Sequence, residues 1–220
     1  MKTRVLTILY FLTGLLYILI EDHSSFTTET VIKALIIPIL ILVFIINLKP
    51  LKNLLTGLML SGLLLSWAGD VALQFAFIPG LASFLFAQLM YLTAFILTPG
   101  ENIIFSRRFY VFIPVVLYGI FIVWFLYNDL AEMRIPVIIY TIVLLTMLGA
   151  AINRLKKVNK LSYYLVLIGA VLFVISDSVI AVNRFSYQFG LSSAVIMSTY
   201  VVAQFLITIG FIKQIRVKLE

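Results

Sequence analysis

The sequence predicts an all-α protein, a polytopic membrane bundle of eight transmembrane helices. Three observations carry that prediction. Of the 220 residues, 63% are hydrophobic and 11% charged, whereas a soluble domain is nearer half apolar and a quarter charged. Apolar runs of membrane-spanning length recur eight times along the chain. The basic residues gather in alternate connections between those runs.

The first run, roughly residues 5–20, follows a basic start in "MKTRVLTILYFLTGLLYILIEDHSS". It has the outline of a signal peptide. No small-x-small cleavage site follows Ile20 and further spans come after, so it reads as a retained first helix. The other seven runs cover roughly 31–48, 54–73, 81–98, 109–127, 135–152, 161–182 and 193–212, each near the ~20 residues that a bilayer core requires. "KPLKN", "IPG", "TPGEN" and "NRLKKVNK" are turn-like or charged breaks between them. The loops are short, and residues 1–220 read as a single membrane-embedded domain.

With the N-terminus inside, the inner segments hold Lys2, Arg4, Lys49, Lys52, Arg107, Arg108, Arg154, Lys156, Lys157, Lys160, Lys213, Arg216 and Lys218, which is 13 of the 16 basic residues. The outer loops hold only Arg134 and Arg184, and Lys33 lies within a span. This asymmetry predicts two cytoplasmic termini and a place in the cell membrane. The net charge of +7 is then a topology signal, and nucleic-acid binding is rejected. Glu21, Asp22, Glu29, Asp129 and Glu132 fall in outer loops, Glu101 and Glu220 inside. Two acids remain in apolar spans: Asp70 in "SWAGDVAL" and Asp177 in "FVISDSVIAVNRF".

A charge at mid-bilayer costs roughly 2.5–3.5 kcal/mol on insertion scales, so each Asp calls for a reason. The third and seventh spans run the same way, and both acids lie within about a turn or two of the outer boundary at ~1.5 Å per residue. Lys33 enters the second span from the same side. The shared depth in the outer half of the bilayer is what a single site requires. A weak internal echo adds to it. "GLLLSWAGDVAL" and "GAVLFVISDSVI" align on their aspartates, with Gly62 and Gly169 each eight residues earlier, and "GLAS" and "GLSS" open the following spans. The echo suggests two parallel four-helix halves, with the third and seventh spans packed face to face through the two glycines. The plainer reading keeps each Asp as interhelical glue, bonded to Ser, Asn or Tyr on a neighbour. The same two readings, ligand contact or helix–helix hydrogen bond, apply to Gln88, Tyr91, Tyr200 and Gln204. Lys33 is a snorkelling residue or a partner for Asp70, and in the second case Asp177 becomes the proton donor.

The remaining chemistry is narrow. The chain has no Cys and one His, His23 in the first outer loop. That is no ligand set for a zinc hydrolase, and there is no G-x-S-x-G elbow, Walker motif or dinucleotide fingerprint. No cofactor is expected. Paired carboxylates in a low-dielectric setting remain, able to supply one acid and one base.

At these residues the chain resembles the lysoplasmalogenase (YhhN-like) family of eight-helix membrane proteins. "SWAGDVAL" resembles its S-x-x-G-D element and "GLASFLFAQLMYLTAF" its G-x-x-x-F-x-x-x-H-x-x-Y element. "IPVIIYTIVLLTMLGAAINR" resembles its central span with Tyr, Met and Arg. "ISDSVIAVNRF", which contains Asn183, resembles S-D-S-x-x-A-x-N-x-F, and "YVVAQFLI" resembles Y-x-x-A-Q. Gln88 stands where the family commonly has His, and Lys33 precedes Ala34 where the family often reads Lys-Pro. The resemblance implies metal-independent hydrolysis of the vinyl ether of a lysophospholipid, with Asp70 and Asp177 catalytic. Lys33, Gln88, Tyr91, Asn183, Arg184, Tyr200 and Gln204 would contact the substrate. Arg184, seven residues after Asp177 and closer to water, suits a phosphate, or else anchors the helix at the interface. Two other readings stay open: a carrier of a small amphiphile driven by the same acids, and a non-catalytic lipid-binding protein.

Overall fold

A computed structural model describes residues 2–21, 24–47 and 53–217. Asp22, His23, Lys49, Lys52, Lys218 and Glu220, placed above in loops or at the C-terminus, lie outside the described residues. Among those described, the regular structure is helical and contains no strand. Eight helices are long and apolar enough to cross a membrane, as expected. They are α1 (Lys2–Ile20), α2 (Phe26–Asn47), α3 (Leu54–Phe75), α4 (Phe77–Ile96), α6 (Ile113–Leu126, preceded by a 3-10 turn, Phe109–Phe112), α7 (Arg134–Ile152), α8 (Lys160–Phe185) and α9 (Ser192–Val217). A short α5 (Ile103–Arg107) lies between α4 and α6. The protein is a multi-pass membrane protein whose seventh span is α8.

Helix ends explain where the sequence reading shifts. α2 starts five residues early because the Ser25 hydroxyl accepts the Thr28 N–H (3.3 Å) and opens the helix. The "IPG" stretch is not a break. Pro79 and Gly80 sit in the first turn of α4, where a missing proline N–H costs nothing. The break is the single extended residue Ala76. Asn53 and Asn159 cap α3 and α8, accepting the N–H of Leu55 and of Ser162.

Pro38 lies inside α2 and frees the carbonyl of Ala34, four residues earlier. The Trp67 indole of α3 donates to that carbonyl at 2.9 Å. A bilayer offers no water for such a group, so the proline also ties α2 to α3.

The tightest pairs are α3 on α4 and α8 on α9, and α4 packs on α7 to join them. α1 lies on α2 and α9, where the Tyr10 hydroxyl donates to the Val201 carbonyl at 2.8 Å. The expected face-to-face packing of the third and seventh spans is not found. Each packs instead on its successor in the chain, and the glycines explain why. A β-carbon on Gly62 would stand 2.7 Å from Tyr91 Cδ1 of α4, and one on Gly169 would stand 2.9 Å from the Ala203 carbonyl of α9. The small residues seat α4 on α3 and α9 on α8 rather than α3 on α8.

At the end of the bundle formed by the α4–α6 and α7–α8 connections, Arg154 is fully buried. It donates to Gln214 Oε1 (2.6 Å) and Ser162 Oγ (3.2 Å) and stacks over Phe95 at 5.2 Å, tying the connection to α8, α9 and α4.

Candidate active site

Asp70 and Asp177 lie toward the same end of the bundle, opposite Arg154. Asp70 is five residues from the end of α3 and Asp177 eight from the end of α8, so both are deeper than the sequence suggests. Each is held by a tyrosine from another helix.

Asp70 is 3% exposed and accepts from the Tyr200 hydroxyl of α9 at 2.8 Å. Tyr200 is bonded in turn to Gln204 Nε2 (3.4 Å), and Gln204 Oε1 accepts from Tyr91 of α4 (2.9 Å). Tyr91 meets Ser66, one turn before Asp70, at 3.5 Å. Lys33 acts on Asp70 electrostatically while its ammonium stands 5.3 Å from the Tyr17 ring centre. Five of the sequence candidates therefore form one neighbourhood: Asp70, Lys33, Tyr91, Tyr200 and Gln204. The spacing of Tyr200 and Gln204, four apart on α9, places both on the face toward α3 and α4.

Asp177 belongs to a second neighbourhood. It accepts from the Tyr140 hydroxyl of α7 at 2.6 Å. Beside it the Tyr118 hydroxyl of α6 meets Ser178 Oγ at 2.6 Å. These four residues line a cavity of about 60 Å³ among α3, α4, α6, α7 and α8, room for a few waters or a short stretch of chain. Its other walls are apolar apart from Thr141, and include Leu73, Phe84 and Leu144. Asp70 is not among the lining residues. Phe84 stands between the two neighbourhoods. Its ring lines the cavity, packs edge-on against Tyr200 at 5.8 Å, and occupies the space left by Gly69, the residue before Asp70.

Gln88 lies one turn beyond Phe84 on the same face of α4. It is fully buried, and neither side-chain amide atom has a hydrogen-bond partner among the described residues. Its side chain comes within interaction reach of Tyr140, short of the geometry of a hydrogen bond.

Arg184 is exposed on α8, with its guanidinium 5.3 Å from the ring centre of Phe77. Phe77 and Phe185 pack edge-on at 5.6 Å and both line the cavity, so Arg184 sits beside the cavity's outer wall. Asn183 is half-buried next to it.

A larger groove of about 900 Å³ runs along α6 against α4 and α7, from Tyr127 and Asn128 to Phe105 and Asn153. Val123, Thr141 and Leu145 line both the groove and the Asp177 cavity. The Asp177 cavity thus lies one wall away from a long, mostly apolar groove along α6.

The sequence reading missed Tyr140, Tyr118 and Ser178. Ser178 and Tyr140 lay within motifs already singled out. Tyr118 had no signal, because a lone tyrosine in an apolar run looks like any other core residue.

The YhhN family model matches residues 28–211. Three curated proteins match most of the chain, each named lysoplasmalogenase TMEM86B. The one from Sus scrofa is 30% identical over 91% of this chain and 84% of its own length. The one from Rattus norvegicus is 30% identical over 88% and 76%. The one from Homo sapiens is 29% identical over 72% and 65%. No solved structure matches the chain.

Proposed function

The chain belongs to the YhhN family, and from that premise we propose that it hydrolyses the vinyl ether bond of lysoplasmalogens to a fatty aldehyde and a glycerophospho-alcohol. The names of its relatives support the substrate class. The observation that carries the chemistry is Asp177, fixed by Tyr140 on the wall of a mostly apolar cavity.

Protonation of a vinyl ether at its β-carbon breaks the C=C π bond and gives an oxocarbenium ion. Asp177 supplies that proton from the cavity wall. Asp70, beside Lys33, supplies the opposing charge from behind Phe84. Water adds to the α-carbon and loses its proton to a carboxylate. The resulting hemiacetal releases the glycerol hydroxyl and the aldehyde. The electronic demand is that of glycoside hydrolysis, which also uses two carboxylates. With no Cys and a single His at position 23, the donor set favours this acid/base route over a metal-bound hydroxide.

The single tail lies in the α6 groove, and Arg184 takes the headgroup phosphate beside the cavity. Both termini are cytoplasmic in this reading, and the aspartates face the outer half of the cell membrane. The test is release of free aldehyde by the purified protein from a lysoplasmalogen, against the saturated ether analogue. Aldehyde from the vinyl ether alone is the expected result. No aldehyde, together with accumulation of the intact lipid inside protein-containing vesicles, would favour a carrier.

A further inference from the structure

We propose that Gln88 holds a buried water that joins the Asp177 and Asp70 neighbourhoods and is the water consumed in hydrolysis. The inference rests on the hydrolase reading for the water's chemical role, and on burial, unpaired amide atoms and helix spacing for its place.

Two hydrogen-bonded arms end at the two intramembrane acids. One runs Asp70–Tyr200–Gln204–Tyr91, and the other is Asp177–Tyr140. Gln88 stands where they approach each other. It is three residues from Tyr91 on α4, a spacing that makes them neighbours on the helix surface, and it comes within interaction reach of Tyr140. It is fully buried with both amide atoms unpartnered among the described residues. An unmet buried polar group costs about 1–3 kcal/mol, so an amide with two such atoms is placed there for a partner. Water suits it: a buried water makes about three hydrogen bonds to otherwise unmet groups, and here it has a donor and an acceptor on Gln88 and the Tyr140 side chain within reach.

The position also fits the reaction. Phe84, on the same face of α4, forms the cavity wall, so a water at Gln88 waits one helical turn from the reacting carbons. On addition to the oxocarbenium carbon its oxygen forms the new C–O bond. Its proton leaves along one arm to a carboxylate. Gln88 is thus a positioning residue, and it gives Asp70, which does not line the cavity, a path to the chemistry.

Infrared difference spectra of the protein in vesicles, taken in ordinary water and in water labelled with heavy oxygen, test the placement without substrate. A single isotope-sensitive O–H band is expected in the wild type and should vanish in Gln88→Leu. Asp70→Asn should perturb the Asp177 carboxyl band in the wild type but not in the Gln88→Leu background. In turnover, Gln88→Leu should lower kcat by roughly 10²-fold with KM unchanged, and Gln88→His, which keeps a donor and an acceptor, should retain activity. Gln88→Met replaces the leucine variant if that fails to insert. Persistence of the water band or of the Asp70–Asp177 coupling without the amide overturns the proposal, as does a kcat within threefold of wild type. If the wild type releases no aldehyde, the hydrolase reading fails, while the spectra still decide whether Gln88 holds the water.

Discussion

The Tyr200 hydroxyl donates to Asp70 Oδ2 over 2.8 Å, joining α9 to α3 across 130 residues of sequence. Asp70 is buried, so this donor satisfies a carboxyl group that has little access to water. Tyr200→Phe removes it and keeps the ring's packing on Phe84 and Phe173. The variant should lose about 1–3 kcal/mol of stability, read as a lower unfolding midpoint in detergent, and should turn over more slowly. An unchanged midpoint and rate would mean that Asp70 needs no partner from α9.

Asp70→Asn and Asp177→Asn each keep shape and remove an ionisable group. Each should reduce aldehyde release 10²–10⁴-fold, the typical range for loss of a general acid or base, while the protein still inserts. Activity above about a tenth of wild type in either variant would return that aspartate to a structural role.

The spans and the two acids were legible because both depend on local sequence: apolar run length, and a charge standing alone within it. Helix starts were less so, since they turn on single hydrogen bonds such as Ser25 to Thr28. Partnership was least legible. Gly62 and Gly169 announce close approach but not to which helix, and the structure gives Tyr91 and Ala203 as the neighbours. Tyr140 and Tyr118 reach the Asp177 cavity from helices 37 and 60 residues away in sequence from the groups they bond. Nothing in an apolar run distinguishes such a tyrosine from one that faces lipid.

The glycines of α3 offer a paired test of packing. A β-carbon at Gly62 would press into the buried Tyr91 ring, whereas nothing lies within 4 Å of one at Gly57. Gly62→Ala should destabilise by about 1–3 kcal/mol through overpacking and weaken the Tyr91–Gln204 bond. Gly57→Ala, in the same helix, should gain up to about 1 kcal/mol from helix propensity. Thermal unfolding in one detergent compares the two directly, and equal shifts would contradict the packing of α4 on α3.

The charge asymmetry predicts an even number of crossings with both ends inside. Reporters that work only in the cytoplasm should be active when fused after Glu220 or inserted near Lys156, and silent when inserted between Tyr187 and Gly190. The reverse pattern would move the aspartates to the cytoplasmic half and change which leaflet supplies the substrate.

Thr141 decides whether the α6 groove serves the Asp177 cavity. It lines both, and its hydroxyl bonds only back to the Val137 carbonyl among the described residues, at 2.8 Å, so its loss leaves no other described group unpaired. Thr141→Phe fills the shared wall and leaves Asp177 and Tyr140 themselves unchanged. If the tail of the substrate occupies the groove while its vinyl ether enters the cavity, the tail must cross at this wall. The variant should then raise KM for a long-chain lysoplasmalogen about tenfold, equivalent to about 1.4 kcal/mol, and leave a short-chain analogue nearly unaffected, because a short tail need not extend past Thr141. Equal losses for both chain lengths would indicate a distorted cavity instead, and no loss for either would place the tail elsewhere, against the outer face of α4 or α8. Comparing the two chain lengths in one variant separates the groove's role from that of the cavity.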